Sequence, residues 1–408
     1  MRRTTPLALL VVCVLATLFA PVAHAQSVIW VSANGSLAFR SDRDGDAEVF
    51  TLGATGENPT NLTDNGGIAD LQPAWSPDGR RIAFVRRQPE HARPDLFVMT
   101  ASGAGRTRLT RTPVPERDPS WSPEGTRIVY AAGTSPRGPF RIFVAKADGS
   151  ARDQLTTQAQ GSDRSPAWSP DGSRIAFVSD RAGGFPELYV MDPDGTSVRR
   201  LTENAFVEGN PTWSPDGLRI AVERCCPNGT SEIVAVDVAT RTDANLTNTT
   251  SVMEFDPSWS PDGATIAFVA FTVGEGNIDI WSMNADGTGA LRLTTDPAVD
   301  LSPDWQPVPQ CTVNGTSQSD PDIRGTDGND VICARLGDDV VKAGHGHDLV
   351  FGGKGADTLE GQLGNDVVFG DAGNDTLRGG PDYDYLDGGS GIDMCVRGSQ
   401  GAFTRLCE

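Results

Sequence analysis

From residue 27 to 308 the chain alternates short apolar runs with clusters of turn residues. Ile175-Ala176-Phe177-Val178 and Leu188-Tyr189-Val190-Met191 are of strand length and are bounded by Gly, Pro, Asp and Ser, so each predicts a β-strand. The pattern recurs at a long period. Trp75, Trp121, Trp168, Trp213, Trp259 and Trp305 stand 46, 47, 45, 46 and 46 residues apart. Five of them open nearly identical stretches: WSPDGRRIAF, WSPEGTRIVY, WSPDGSRIAF, WSPDGLRIAV and WSPDGATIAF. Ser-Pro-Asp-Gly supplies a β-turn, with Pro fixing φ at the second position and Gly tolerating the exit. Each unit predicts four short strands, A to D, the last ending in Leu-Thr. Four-stranded units of this size arranged radially make a β-propeller. Second strands centred on Ala38, Ala83, Val129, Ala176, Ala221 and Ala267 give six blades. Blade one has B, C and D strands but no clear A strand, and SPDWQP around Trp305 is a spare one. The strand of Trp305 is therefore predicted to return and close the ring, with WVSANGSLAF at Trp30 competing for the same slot.

A second, shorter period begins at Gly325: GTDGNDVIC, ARLGDDVVK, AGHGHDLVF, GGKGADTLE, GQLGNDVVF, GDAGNDTLR, GGPDYDYLD and GGSGIDMCV. The sixth position is always aspartate: Asp330, Asp339, Asp348, Asp357, Asp366, Asp375, Asp384 and Asp393. The fourth is glycine except at Asp382, and the eighth is apolar or cysteine. Six residues form a tight loop that needs glycine for left-handed angles. Three form a strand whose eighth residue faces inward. The units resemble haemolysin-type calcium-binding repeats, in which two units complete one turn; that would put Asp330, Asp348, Asp366 and Asp384 on one edge and Asp339, Asp357, Asp375 and Asp393 on the other. Oxygen ligands from carboxylates and loop carbonyls suit Ca²⁺, and Gly353, Gly355, Gly364 and Gly373 are the backbone positions expected to shape the central loops. Without an ion the stacked acids repel, so folding of this tail is expected to be coupled to metal. His345 and His347 occupy variable positions and are read as loop residues rather than zinc ligands.

The WSPDG units resemble the TolB-like family of WD-type β-propeller repeats, and the nonapeptides resemble haemolysin-type (RTX) calcium-binding repeats, which form a parallel β-roll. The resemblance implies an all-β chain, a six-bladed propeller serving as a binding platform followed by a calcium-binding roll. TolB itself carries an α/β domain ahead of its propeller, for which the stretch before the first repeat leaves no room. The expected division is a signal peptide at 1–25, the propeller at 26–308, a linker holding a disulfide cysteine at 309–324, the roll at 325–396 and a cap at 397–408.

Composition sharpens the picture at three points. The net charge of −20 excludes nucleic acid as a partner. Its uneven spread marks a domain boundary: residues 311–408 hold 7 Lys+Arg and 17 Asp+Glu, or −10 of that charge. Arg2-Arg3, the apolar stretch Leu7 to Ala20 and Ala23-His24-Ala25 read as a Sec-type signal peptide, too short to span a bilayer, so the mature chain is expected to be secreted. Beyond Cys13 there are Cys225, Cys226, Cys311, Cys333, Cys395 and Cys407. Position favours Cys311–Cys333 and Cys395–Cys407, one at each open end of the roll, leaving Cys225 and Cys226 as a vicinal pair.

An acid stands five residues before each repeat tryptophan: Asp70, Glu116, Asp163, Glu208, Glu254 and Asp300. Two roles fit. They form a carboxylate ring at the channel mouth that attracts a divalent cation or a basic peptide, or each caps its own loop. No G-x-S-x-G elbow or H-E-x-x-H motif occurs. The expected function is calcium-dependent binding of a protein or glycan by the propeller, with several Ca²⁺ ions in the roll. The alternative is a metal-dependent hydrolase or lactonase acting in the propeller channel.

Overall fold

A computed structural model describes residues 32–87, 93–157, 161–225, 230–272, 276–396, 398 and 403–407. The segment read as a signal peptide, Trp30 and Cys226 lie outside these residues. Among the described residues the chain is built of strands, in six antiparallel four-stranded sheets and two parallel sheets of six and five strands. The ring closes as expected. Leu301–Pro309, which carries Trp305, pairs antiparallel with Ser32–Ser41 and so supplies the innermost strand of blade one. The segment around Ser32 does not compete for that slot. It forms the second strand and hydrogen-bonds to the returning one.

The tryptophan repeat has a packing cause. Trp121 lies in one cluster with Ala83, Val85 and Leu96 of the preceding blade and Ile128 of its own. Trp213 does the same with Ala176 and Leu188, and Trp75 with Ala38 and Val49. Each indole is 4–7% exposed and fills the seam between two blades. One Trp per seam is what fixes the period, and burying a side chain of that size contributes about 2–3 kcal/mol per seam.

The two parallel sheets form the roll. Strand partners lie 18 residues apart, as in Val331↔Leu349 and Val340↔Thr358, so two nonapeptides make one turn. Eighth-position residues Ile332, Val341, Val350, Leu359, Val368, Leu377 and Leu386 are all fully buried in a single core between the sheets. The roll starts earlier than the glycine pattern indicates. Val313–Asn314 and Ile323–Arg324, within the expected linker, already pair in parallel with Val331–Leu336 and Val340–His345. Phe403–Arg405 adds a last strand at the other end. Disulfides join Cys311 to Cys333 and Cys395 to Cys407, stapling both ends, where an unpaired edge would fray.

Candidate metal centre

Each loop of the roll is locked to the next by its aspartate. The Oδ1 atoms of Asp348, Asp357, Asp366 and Asp375 accept the backbone N–H of Asp330, Asp339, Asp348 and Asp357 at 2.8–2.9 Å. Asp384 and Asp393 accept from Asp366 and Asp375 at 3.0 and 2.8 Å. Two ladders result, one on each edge, in the two sets of residues expected from the period.

The second carboxylate oxygen is the informative one. Oδ2 of Asp339, Asp348, Asp357, Asp366, Asp375, Asp384 and Asp393 is buried and has no hydrogen-bond partner. A buried acceptor left unpaired costs about 1–3 kcal/mol, and more when charged, so seven of them in register demand a common cause. In the glycine-led units this oxygen is tucked against the first residue of its own loop. A Cβ at Gly361, Gly370 or Gly379 would lie 2.3, 2.5 or 2.1 Å from Oδ2 of Asp366, Asp375 or Asp384. The fourth-position glycines are held even more tightly: a Cβ on Gly355, Gly364 or Gly373 would lie 1.9, 1.6 or 1.6 Å from a backbone oxygen one turn earlier. Loop backbones and buried carboxylate oxygens are thus crowded together along each edge.

These donors fit calcium. No three His, Cys, Asp or Glu side chains converge on one point among the described residues, so an ion here would have to draw on single carboxylates from separate loops together with backbone carbonyls. That hard-oxygen set is one Ca²⁺ accepts and a softer metal does not favour. In the metal-free chain burial pushes Asp348 up to about 7 and Asp366 up to about 8, with Asp330 and Asp348 respectively adding repulsion against the lowering effect of the N–H bonds. A bound cation would supply the missing counter-charge.

Asp330 departs from the expectation. Its Oδ2 accepts from Thr326 N and Oγ1 at 2.6 and 2.9 Å, and its Oδ1 from Thr312 Oγ1 at 3.2 Å. Protein donors satisfy both oxygens, so this end unit lacks the orphaned atom of the other seven. His347 is a loop residue, its Nδ1 accepting Asn365 N–H at 2.8 Å.

The acid ring of the propeller also needs correcting. Asp70, Glu116, Asp163, Glu208, Glu254 and Asp300 are 0–2% exposed. They face neighbouring strands rather than the lumen: Asp70 binds Arg86 at 2.7 Å through both oxygens, and Asp163, Glu208 and Asp300 bind Arg181, Arg224 and Arg43 at 2.8, 2.8 and 3.1 Å. Glu116 and Glu254 accept from Thr112 and Thr249 at 2.7 and 2.9 Å. They are internal fasteners.

The lumen, about 300 Å³, is lined instead by the residues two positions further on: Gln72, Asp118, Ser165, Asn210, Asp256 and Ser302. All six have φ between 43 and 54°, a left-handed angle that is uncommon without glycine. They bond around the ring, Ser165 N to Asp118 at 3.1 Å, Ser165 Oγ to Asn210 at 3.0 Å, and Ser302 N to Asp256 at 3.2 Å. Burial pushes Asp256 up to about 6 and Glu223, which shares Asn210 with it, up to about 7.

A six-bladed propeller joined to a loop-stacked parallel roll with orphaned carboxylates defines a calcium-binding repeat protein with a propeller platform. The TolB beta propeller domain model matches residues 17–135, 71–251 and 187–313, and the chain belongs to that family. The RTX calcium-binding nonapeptide repeat model matches 324–359 and 360–395. The Tol-Pal system protein TolB of Anaeromyxobacter dehalogenans is 63% identical over 38 residues, which is 9% of this chain and 9% of that protein. The crystal structure of TolB from Acinetobacter baumannii is 25% identical with a TM-score of 0.57, over 67% of this chain and 66% of that one. In a nidogen/laminin complex a chain at 12% identity, TM-score 0.55, shares the fold over 67% of this chain and 99% of its own.

Proposed function

We propose that this is a secreted, non-catalytic protein whose roll folds around several Ca²⁺ ions and whose propeller presents a surface to a protein or glycan partner. The observation that carries the reading is the pair of aspartate ladders with seven buried, unpartnered Oδ2 atoms. Extracellular calcium modules bind at about 10⁻⁴–10⁻³ M, which suits a tail that stays unfolded inside the cell and orders after export. The lumen belt offers a polar, hydrogen-bonding surface for the partner, and its carboxylates are already engaged with Gln, Ser and Asn side chains.

The test is calorimetric titration of Ca²⁺ into the full chain, with far-UV circular dichroism recorded in parallel. Uptake of several ions with a gain of strand signal is expected. A chain that takes up no calcium, or that has the same strand content in chelator, would falsify the reading.

A further inference from the structure

Both repeats break their own pattern where the two units meet. In a strand, successive side chains face opposite ways, so the seventh and ninth positions of each roll unit face away from its core. On one sheet those positions are apolar except at Asp387: Val331, Leu349, Val367 and Tyr385 are 0–2% exposed, Phe369 is 4% exposed, and Cys333 and Phe351 are partly buried beside them. On the other sheet they include Thr358, Thr376, Lys342, Glu360 and Arg378, half-buried or exposed. One face of the roll is therefore built for contact and the other for water.

Two arginines of blade two lie over the aromatic residues of the first face. The A–B turn of that blade reads WSPDGRRIAF, with Arg80 where the other copies have Thr126, Ser173, Leu218 and Ala264. The Arg80 guanidinium lies 4.2 Å from the Phe351 ring and 4.1 Å from the Phe369 ring, and it forms a two-pronged ion pair with Asp371. Arg81, 4% exposed, sits 4.1 Å from the Tyr385 ring and 4.7 Å from Trp121, held by Asp78 and the Gly125 carbonyl. On blade three Lys146 lies 4.7 Å from the Tyr383 ring. Asp371 takes φ 71° at a loop position where Gly344, Gly353, Gly380 and Gly389 have φ of 91–139° and where Arg335 and Gln362 also do without glycine, at 87° and 81°.

We propose that calcium loading of the roll closes a latch onto blades two and three, with Arg80, Asp371, Phe351 and Phe369 at its centre. The inference rests on reading the aspartate ladders as calcium sites. Phe351 and Phe369 stand one turn apart, their rings stacked at 5.6 Å, so the surface that receives Arg80 exists only when successive turns are stacked. Stacking the turns also brings the ladder carboxylates together, which is the step that calcium favours. Binding energy at the loops thus reaches the propeller, although no propeller residue holds the ion. The docked arrangement walls a cleft of about 880 Å³ between Lys146, Asp148 and Gln154 on one side and Asn365 and Tyr383 on the other.

The test uses the full chain, with the radius of gyration from small-angle scattering and the propeller melting temperature read in calcium and in chelator. Calcium should compact the wild type and raise the propeller melt. Arg80→Glu should keep calcium uptake by calorimetry and the strand signal of the roll, yet lose both the compaction and the calcium-dependent part of the melt. The swap Arg80→Glu with Asp371→Arg should restore them, since Arg335 shows that arginine tolerates that loop position at φ 87°. Calcium uptake by the wild type without compaction, or an Arg80→Glu chain as compact as wild type, overturns the latch alone. No uptake at all overturns the ladder reading, and the latch with it.

Discussion

Replacing Gly373 by alanine separates backbone strain from loop crowding. Gly373 has φ of +151°, and a Cβ there would lie 1.6 Å from the Gly355 carbonyl oxygen. A left-handed angle costs an L-residue about 1–2 kcal/mol. A contact more than an ångström too short must then be relieved by prising two turns apart, an overpacking cost of about 1–3 kcal/mol. The sum, about 2–5 kcal/mol, falls on the folded roll and leaves the unfolded tail almost untouched. With tenfold per 1.4 kcal/mol, the calcium requirement rises by roughly one and a half to three and a half decades, divided by the number of ions taken up together. Gly45→Ala is the control. It shares a left-handed angle, φ +104°, but its Cβ would meet nothing within 4 Å, so only the strain of about 1–2 kcal/mol applies, and to the propeller. The assay is a calcium titration of the full chain followed by far-UV dichroism, with the propeller melt read by tryptophan fluorescence. A Gly373→Ala chain that folds at a calcium concentration within about twofold of wild type would refute the claim that the loops are stacked this tightly.

Three further outcomes are expected. Asp366→Asn should lower the number of calcium ions bound, whereas Asp330→Asn should not, because Thr326 and Thr312 already satisfy Asp330; equal losses by calorimetry would contradict the distinction. Replacing Asp163 and Glu254 together should destabilise the propeller by about 3 kcal/mol or more, since Arg181 is left without its carboxylate, and should leave calcium uptake unchanged; reduced uptake would return the acids to a binding role. Asp304 sets a pH dependence in the closing strand. Burial pushes its carboxyl up from 3.8 to about 7, against hydrogen bonds from Trp75 N–H and Ser258. A raised carboxyl contributes stability that is fully present below about pH 4 and lost as pH rises through about 7. In chelator the propeller should therefore melt lower at pH 8 than at pH 5, and Asp304→Asn should reduce that slope without abolishing it, since burial also raises Glu223, Glu254 and Asp256; an unchanged slope in the variant would show that Asp304 does not contribute.

Much of the architecture was legible because repetition fixes it. Blade number, ring closure by the Trp305 strand and the eighth-position core follow from period and alternation, and the 18-residue stagger of the roll follows from the period together with the resemblance to RTX repeats. Where the backbone departs from regular geometry, alternation misleads. The register shift between Leu71 and Ala74, with its counterparts in the other blades, and the left-handed angle at Gln72 turn the innermost strand. Asp70 consequently faces Arg86, and Gln72 reaches the lumen. The most uniform column, the acids, is buried against neighbouring strands, and the more varied column two residues later lines the channel. The early start of the roll escaped notice for a related reason: Val313 and Ile323 supply the inward side chains without the glycine loops that announce the later units.

That contrast bears on where specificity lies in a protein made of two repeats. A residue present in every copy answers to the demand that all copies share, which is closing a blade seam or stacking a loop. A residue present in one copy answers to something outside the repeat. Arg80 occurs in one A–B turn, and aromatic seventh and ninth positions occur on one of the two sheets; these exceptions meet at a single contact. Neither departure improves its own unit. Asp371, like Arg335 and Gln362 at the same loop position, forgoes the glycine that its left-handed angle favours, and Phe351 and Phe369 would be a liability if left facing water. The rings are accounted for by the contact in which Arg80 lies over both of them and pairs with Asp371.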